Sequence, residues 1–128
     1  MTYLVDTDVV IGFLKGKTPE VSLLKTLSPQ GISISLITFG EIYEGIFYGR
    51  NPEQNEQVFR QFLQDVDVLP LTKLVMRRFA KIRGHLRKSG AILADMDLLI
   101  GATALQYRLT LITYNKKHFQ RIPGLIIY

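Results

Sequence analysis

Among the eleven Asp and Glu residues of this 128-residue chain, four fall where apolar runs end or begin. Asp6 follows Tyr3-Leu4-Val5 directly, with Asp8 two positions on. Glu41 lies a short way beyond Ile32–Ser35, and Asp97 heads the uncharged stretch from Leu98 to Leu105. Asn115 follows the run Leu109–Thr113 by two positions. The chain contains no cysteine, and its only histidines are His85 and His118. Disulfides, thiolate zinc sites and cysteine nucleophiles are therefore excluded, and a zinc site built from several histidines has little to draw on. Carboxylates brought together repel one another, so they must hold protons or bind a cation. Oxygen-only donors suit Mg²⁺ or Mn²⁺. Such ions activate water and stabilise charge developing on a phosphodiester.

Taken singly, each residue also fits a local role. Asp6 could cap or turn the chain, Glu41 could be a solvated helix position, and Asn115 could form a turn. Asp97 could simply sit in the first turn of a helix and favour its dipole. The stretch after Asp97 argues for more, because a helix apolar all round belongs in the core. A carboxylate at the mouth of such a helix loses hydration and needs a partner. Asp95 is expected to serve as the simple cap, which frees Asp97 for chemistry.

The elements that must position these residues can be read in outline. Tyr3–Val5, Ile32–Ser35, Val66–Leu69 and Leu109–Thr113 read as short buried strands, with a last one at Leu125–Ile127. Between them, helices are expected over Val9–Leu14, from a Thr18 cap with Pro19 at the first position to about Leu27, and from Ile37 or Thr38 to Tyr48. Further helices are expected from Pro52 to about Gln64, from a Thr72 cap to Ser89-Gly90, and over Asp95–Gln106. Val75, Phe79, Ile82 and Leu86 recur at i, i+4, i+7 and i+11, a buried stripe on one of these helices. Lys116–Phe119 reads as a helical turn. Strands alternating with helices imply an α/β fold: a mainly parallel central sheet of about four to five strands, flanked by helices on both faces. One domain over residues 1–128 is the expected organisation. In such folds ligands bind beyond the carboxyl ends of the strands, which is where Asp6, Glu41 and Asn115 are expected.

The net charge of +5 and pI of about 9.6 favour a polyanionic partner. Between Val68 and Ala94 there is no acid, while Lys73, Arg77, Arg78, Lys81, Arg83, Arg87 and Lys88 fall there. Arg77, Arg78, Lys81, Arg87 and Lys88 are the candidate phosphate contacts, on a helix face that could otherwise be merely solvated. Tyr43, Phe47 and Tyr48 recur at helical spacing and are expected in the core or a dimer interface. No basic segment leads into an apolar one at the N-terminus, and no apolar run is long enough to span a bilayer, so a cytoplasmic location without membrane contact is expected.

Leu4-Val5-Asp6-Thr7-Asp8-Val9-Val10-Ile11 resembles the opening of PIN domains. Ser35–Glu41, Asp97–Leu105, and Leu111–Phe119 followed by Ile122–Leu125 are similar to the later motifs of that family, with the ending of its VapC-type toxins. The four motifs occur in order across nearly the whole chain. The resemblance implies an acidic metal site of Asp6, Glu41 and Asp97, with Asn115 at the fourth position, where many members carry aspartate. Asp8 and Asp95 are possible supplementary acids, and Thr7 and Thr113 possible positioners of water or phosphate. It further implies a Mg²⁺- or Mn²⁺-dependent endoribonuclease, homodimers or larger homo-oligomers, an RNA substrate and a VapB-like antitoxin. Two alternatives are open at this point. One is a PIN module that grips RNA or protein without cutting. The other is a haloacid-dehalogenase-type phosphatase, with Asp6 as nucleophile, Asp8 as general acid, and Lys73 with Asp95 or Asp97 in support.

Overall fold

A computed structural model describes residues 2–128; Met1, which belongs to the expected domain 1–128, lies outside the described residues. The chain runs through β1 (Tyr3–Val5), α1 (Thr7–Leu14), α2 (Thr18–Leu27), β2 (Ile32–Ser35), α3 (Leu36–Tyr48), α4 (Pro52–Phe62), β3 (Asp67–Leu69), α5 (Lys73–Ser89), α6 (Asp95–Gln106), β4 (Thr110–Ile112) and α7 (Lys116–Phe119). Single turns of 3₁₀ helix extend α2 over Ser28–Gln30 and α4 over Leu63–Asp65.

The strands form one parallel sheet in the order β3-β2-β1-β4. Period-two alternation divides each strand between two cores. Leu4 and Leu111 face α5, α6 and α7, with Val75, Ile82, Leu86, Leu98 and Phe119. Their neighbours Val5 and Ile112 face α1 to α4, with Val9, Leu24, Ile42, Phe59 and Phe62. Helices thus cover both faces, as the alternating element pattern requires. The order also fixes the crevice. From β1 the chain winds outward through β2 to β3, then returns across the sheet to β4 on the other side of β1. The reversal of winding opens a crevice beyond the carboxyl end of β1.

Most boundaries fall within two residues of the sequence reading. The expected strand over Leu125–Ile127 shrinks to a single parallel bridge, Leu111 to Ile127, held by Leu111 N–H to Ile126 O (2.9 Å) and Tyr128 N–H to Leu111 O (2.8 Å). Two expected caps differ. Lys17, not Thr18, is the residue before α2, and it makes no side-chain cap bond. Ala94 precedes α6, with extended backbone (φ −59°, ψ 142°). Asp95 therefore already lies in the helix, and its carboxylate turns away to Arg83 instead of folding back on the helix end. Pro19 is consequently the second residue of α2, while Thr72 and Gly90 bound α5 as expected and Ser35, not singled out in the sequence, caps α3. Thr72 accepts from Val75 N–H, Ser35 accepts from Thr38 N–H, and Gly90 ends α5 in the left-handed conformation (φ 74°). Among the described residues no helix is long and apolar enough to cross a membrane.

Candidate active site

β1 is three residues long because Asp6 stops it. The Asp6 carboxylate turns onto the start of α1 and accepts from Thr7 N–H at 2.8 Å. On its other oxygen it accepts from the Thr113 hydroxyl at 2.6 Å, just past the end of β4. Thr113 is itself placed by Asn115 N–H, which donates to its hydroxyl oxygen at 2.9 Å. Asp6 is only 4% exposed. Burial pushes its carboxyl up to about 6, against the bonds from Thr113 and Thr7, and with the charges of Asp8 and Asp97 adding to the rise. Asp8 is half-buried. It accepts from Val9 N–H at 2.7 Å and from Tyr114 N–H at 3.1 Å, and burial raises its pKa as well, with Asp97 contributing.

Glu41 arrives from the second turn of α3, whose start is fixed by the Ser35 cap after β2. The Thr7 hydroxyl donates to Glu41 Oε1 at 2.6 Å and shares a 3.0 Å bond with the fully buried Thr38. Asp97 sits in the first turn of α6, half-buried, at the mouth of a helix whose Leu98, Ile100, Gly101, Ala102, Thr103 and Ala104 are all buried. The apolar stretch is therefore a core helix, as its composition demanded.

The structure brings Asp6, Asp8 and Asp97 within electrostatic reach of one another and joins Glu41 to them through Thr7. Thr7 and Thr113 hold carboxylates in place. Asn115 is exposed at the start of α7, tied to the centre through its backbone, and its side chain makes no cap bond. Asp95 is directed elsewhere, 2.9 Å from Arg83 Nε.

No internal cation answers this charge. Among the described residues the ion pairs are Arg60–Glu56 and Arg83–Asp95, and neither involves Asp6, Asp8, Glu41 or Asp97. As the side chains stand, no three acidic or imidazole groups among the described residues converge closely enough to hold a metal ion. The donor set nevertheless fits a hard divalent cation. It is all oxygen and partly desolvated, and burial together with the neighbouring acids raises the Asp6 carboxyl, a cost that a bound cation would offset.

The basic helix α5 packs on α6, and its cations are exposed. They are not equivalent. Arg87 lines a small hollow with Arg83 and Asp95, at the end of α6 that carries Asp97. Arg78 donates to Gln106 at the far end of α6 and lines a different hollow with Lys81. Of Tyr43, Phe47 and Tyr48, Tyr43 packs against Phe39, Phe47 and Phe59, whereas Phe47 and Tyr48 are exposed. Beside Glu41 an open trough of about 290 Å³ is lined by Ile11, Leu14, Ile42, Ile46 and Val58.

Sequence reasoning missed Glu20 and Tyr114. Glu20 reads as an ordinary first-turn acid of α2, yet it is 6% exposed and accepts from the Tyr114 hydroxyl at 2.6 Å. A glycine inside α1, Gly12, is the signal that could have found it: a β-carbon there would collide with the Glu20 carboxylate.

Residues 3–125 match the family described as PIN domain. The chain is 35% identical over 127 residues to "Ribonuclease VapC1" of Methanocaldococcus jannaschii, covering 98% of this chain and 85% of that one. It is 30% identical over 127 residues to "Ribonuclease VapC1" of Haemophilus influenzae, covering 98% and 95%. Among solved structures it is similar to VapBC2 from Rickettsia felis bound to a DNA fragment from its promoter, with TM-score 0.93, 28% identity and coverage of 100% of this chain and 98% of that chain.

Proposed function

The chain belongs to the PIN-domain family, and on that premise we propose that it is a Mg²⁺- or Mn²⁺-dependent endoribonuclease, the toxin of a VapBC-type toxin–antitoxin pair. The observation that carries this reading is the uncompensated acidic charge: Asp6 lies within electrostatic reach of Asp8 and Asp97, Glu41 is joined to it through Thr7, and none of the four has an ion-pair partner among the described residues. Asp6, Glu41 and Asp97 would hold the ion, with Asp8 and Asn115 at the margin. A divalent ion there supplies an activated water and neutralises charge on the phosphodiester. The protein's own part is positional. Thr113 and Thr7 N–H fix the two oxygens of Asp6, and the Thr7 hydroxyl fixes Glu41, so the acids are oriented before any ligand arrives. Arg87, which lines the hollow at the acidic end of the α5–α6 pair, and the exposed Lys88 next to it would meet the phosphates of an approaching strand.

Relatives named as ribonucleases support the reaction class, and solved VapBC assemblies support a VapB-like partner. An apolar segment of that partner seated in the trough beside Glu41 would lie against the acidic centre and block it. Homodimers and a cytoplasmic site of action are part of the same reading. The phosphatase alternative finds no support, because the family matched across residues 3–125 is the PIN domain.

The test is cleavage of a mixed set of labelled RNAs by the partner-free protein in Mg²⁺, in Mn²⁺ and in EDTA, with Glu41→Gln alongside. Cutting that needs the metal and is lost in the variant supports the reading. RNA binding that is indifferent to metal, with no cutting of any RNA in the set, favours the binding-only module.

A further inference from the structure

Tyr114 stands at the rim of the acidic centre in a way its neighbours do not explain. It follows Thr113, whose hydroxyl holds Asp6, and its own N–H donates to Asp8 Oδ2 at 3.1 Å. At the other end its hydroxyl donates to Glu20 Oε1 at 2.6 Å, a short charge-assisted bond. The ring between these two anchors remains open to solvent, with the residue 58% exposed.

Both anchors are built into the fold. Asp8 and Gly12 lie at i and i+4 on one face of α1, about 6 Å apart along the axis. The Glu20 carboxylate rests against Gly12, in space that any β-carbon would fill. The tyrosine ring thus bridges from Asp8 to Glu20 along that turn of α1. Glu20 itself is buried to 6% exposure and has no ion pair among the described residues. Desolvating a carboxylate whose hydrogen-bond partner is one exposed tyrosine is costly for the fold alone. What the arrangement achieves is a flat aromatic surface held in one orientation beside the carboxylates.

Resting on the ribonuclease reading, we propose that the exposed face of Tyr114 is a stacking platform for an unpaired nucleobase of the RNA, adjacent to the phosphodiester presented to Asp6, Glu41 and Asp97, and that Glu20 holds the platform in place. Aromatic side chains bind bases in this manner with little dependence on sequence, since every base has a π-face. A ring already immobilised at both ends loses little freedom on binding. Tyr114 is a binding residue and Glu20 a positioning residue in this arrangement.

The experiment compares two fluorescent single-stranded probes of about a dozen nucleotides, oligoadenylate and an abasic ribose-phosphate chain of equal length. Binding is read by anisotropy, with Ca²⁺ replacing Mg²⁺ to hold cleavage off. The wild type is expected to prefer oligoadenylate. Tyr114→Ala should weaken oligoadenylate binding by roughly 5- to 100-fold while leaving the abasic chain within about two-fold. Tyr114→Trp should restore the preference. Glu20→Ala, which frees the ring without removing it, should give a partial loss, and Glu20→Gln should not. Loss of affinity for both probes alike in Tyr114→Ala would assign the residue a structural role and overturn the proposal. Equal oligoadenylate preference in wild type and Tyr114→Ala, or no preference in the wild type, would overturn it too. Metal-dependent cutting by the same wild-type sample is scored separately. Cutting without a Tyr114-dependent base preference sinks the platform alone, whereas absence of metal-dependent cutting sinks the ribonuclease reading.

Discussion

Replacing Asp6 by asparagine should make the metal-free protein more stable at neutral and alkaline pH. The carboxyl moves from 3.8 to about 6 on folding, chiefly through burial, and at 4% exposure solvent screens little of that cost. A rise of this size corresponds to roughly 3 kcal/mol of destabilisation when the group is ionised. The folded state holds the proton more tightly than the unfolded one. The cost is therefore absent well below 3.8, grows as pH rises, and is complete above about pH 6. Asparagine keeps the shape, can still accept from Thr7 N–H, and offers its amide to the Thr113 oxygen. The expected gain is about 2–3 kcal/mol near pH 8, shrinking to about 1 kcal/mol near pH 4.5. Urea unfolding in EDTA at the two pH values measures it. Excess Mn²⁺ should stabilise the wild type and not the variant. A variant that is less stable than wild type near pH 8, or a difference that does not change with pH, would refute the claim that Asp6 is held ionised against its environment.

Thr113→Val removes the hydroxyl that lowers the Asp6 pKa while keeping the side-chain volume, at a residue 3% exposed. The carboxyl should rise further, moving the midpoint of pH-dependent Mn²⁺ binding up by about one pH unit, as followed by calorimetry across the range; an unchanged midpoint would contradict the role given to that bond. Paired substitution of Arg87 and Lys88 by alanine should weaken RNA binding and reduce its salt slope by about 0.7 for each phosphate that is no longer neutralised. Arg78 and Lys81, beside the far end of α6, should matter less, and the reverse ranking in salt-dependent anisotropy would misplace the RNA path.

The order of elements was legible in the sequence because its determinants are local. Leu98–Leu105 carries no charge and proves to be the buried helix α6, while the stripe Val75, Phe79, Ile82, Leu86 is the core face of α5. Asp6, Glu41 and Asp97 could be singled out because each interrupts or heads an apolar run, and a parallel sheet gathers such ends. The details that escaped depend on contacts between distant segments. The Thr113 bond to Asp6 spans 107 residues and the Tyr114 bond to Glu20 spans 94. No periodicity reports either one. Asp95 reads as a cap in the sequence because a first-turn acid is ambiguous until the neighbouring helix is known, and α5 offers it Arg83. The last strand reads convincingly from Leu125-Ile126-Ile127, but the Pro123-Gly124 turn brings it to β4 for only one bridge.

The shared acidic centre is tested most directly by Asp97→Asn, measured for Mn²⁺ binding by calorimetry and for RNA cutting on one preparation. Asp97 lies on a different element from Asp6 and Glu41, so its loss tests whether the three form one centre. The predicted result is that tight Mn²⁺ binding and cutting vanish together while urea unfolding shows an intact fold. A variant that binds the ion and cuts as the wild type does would contradict it.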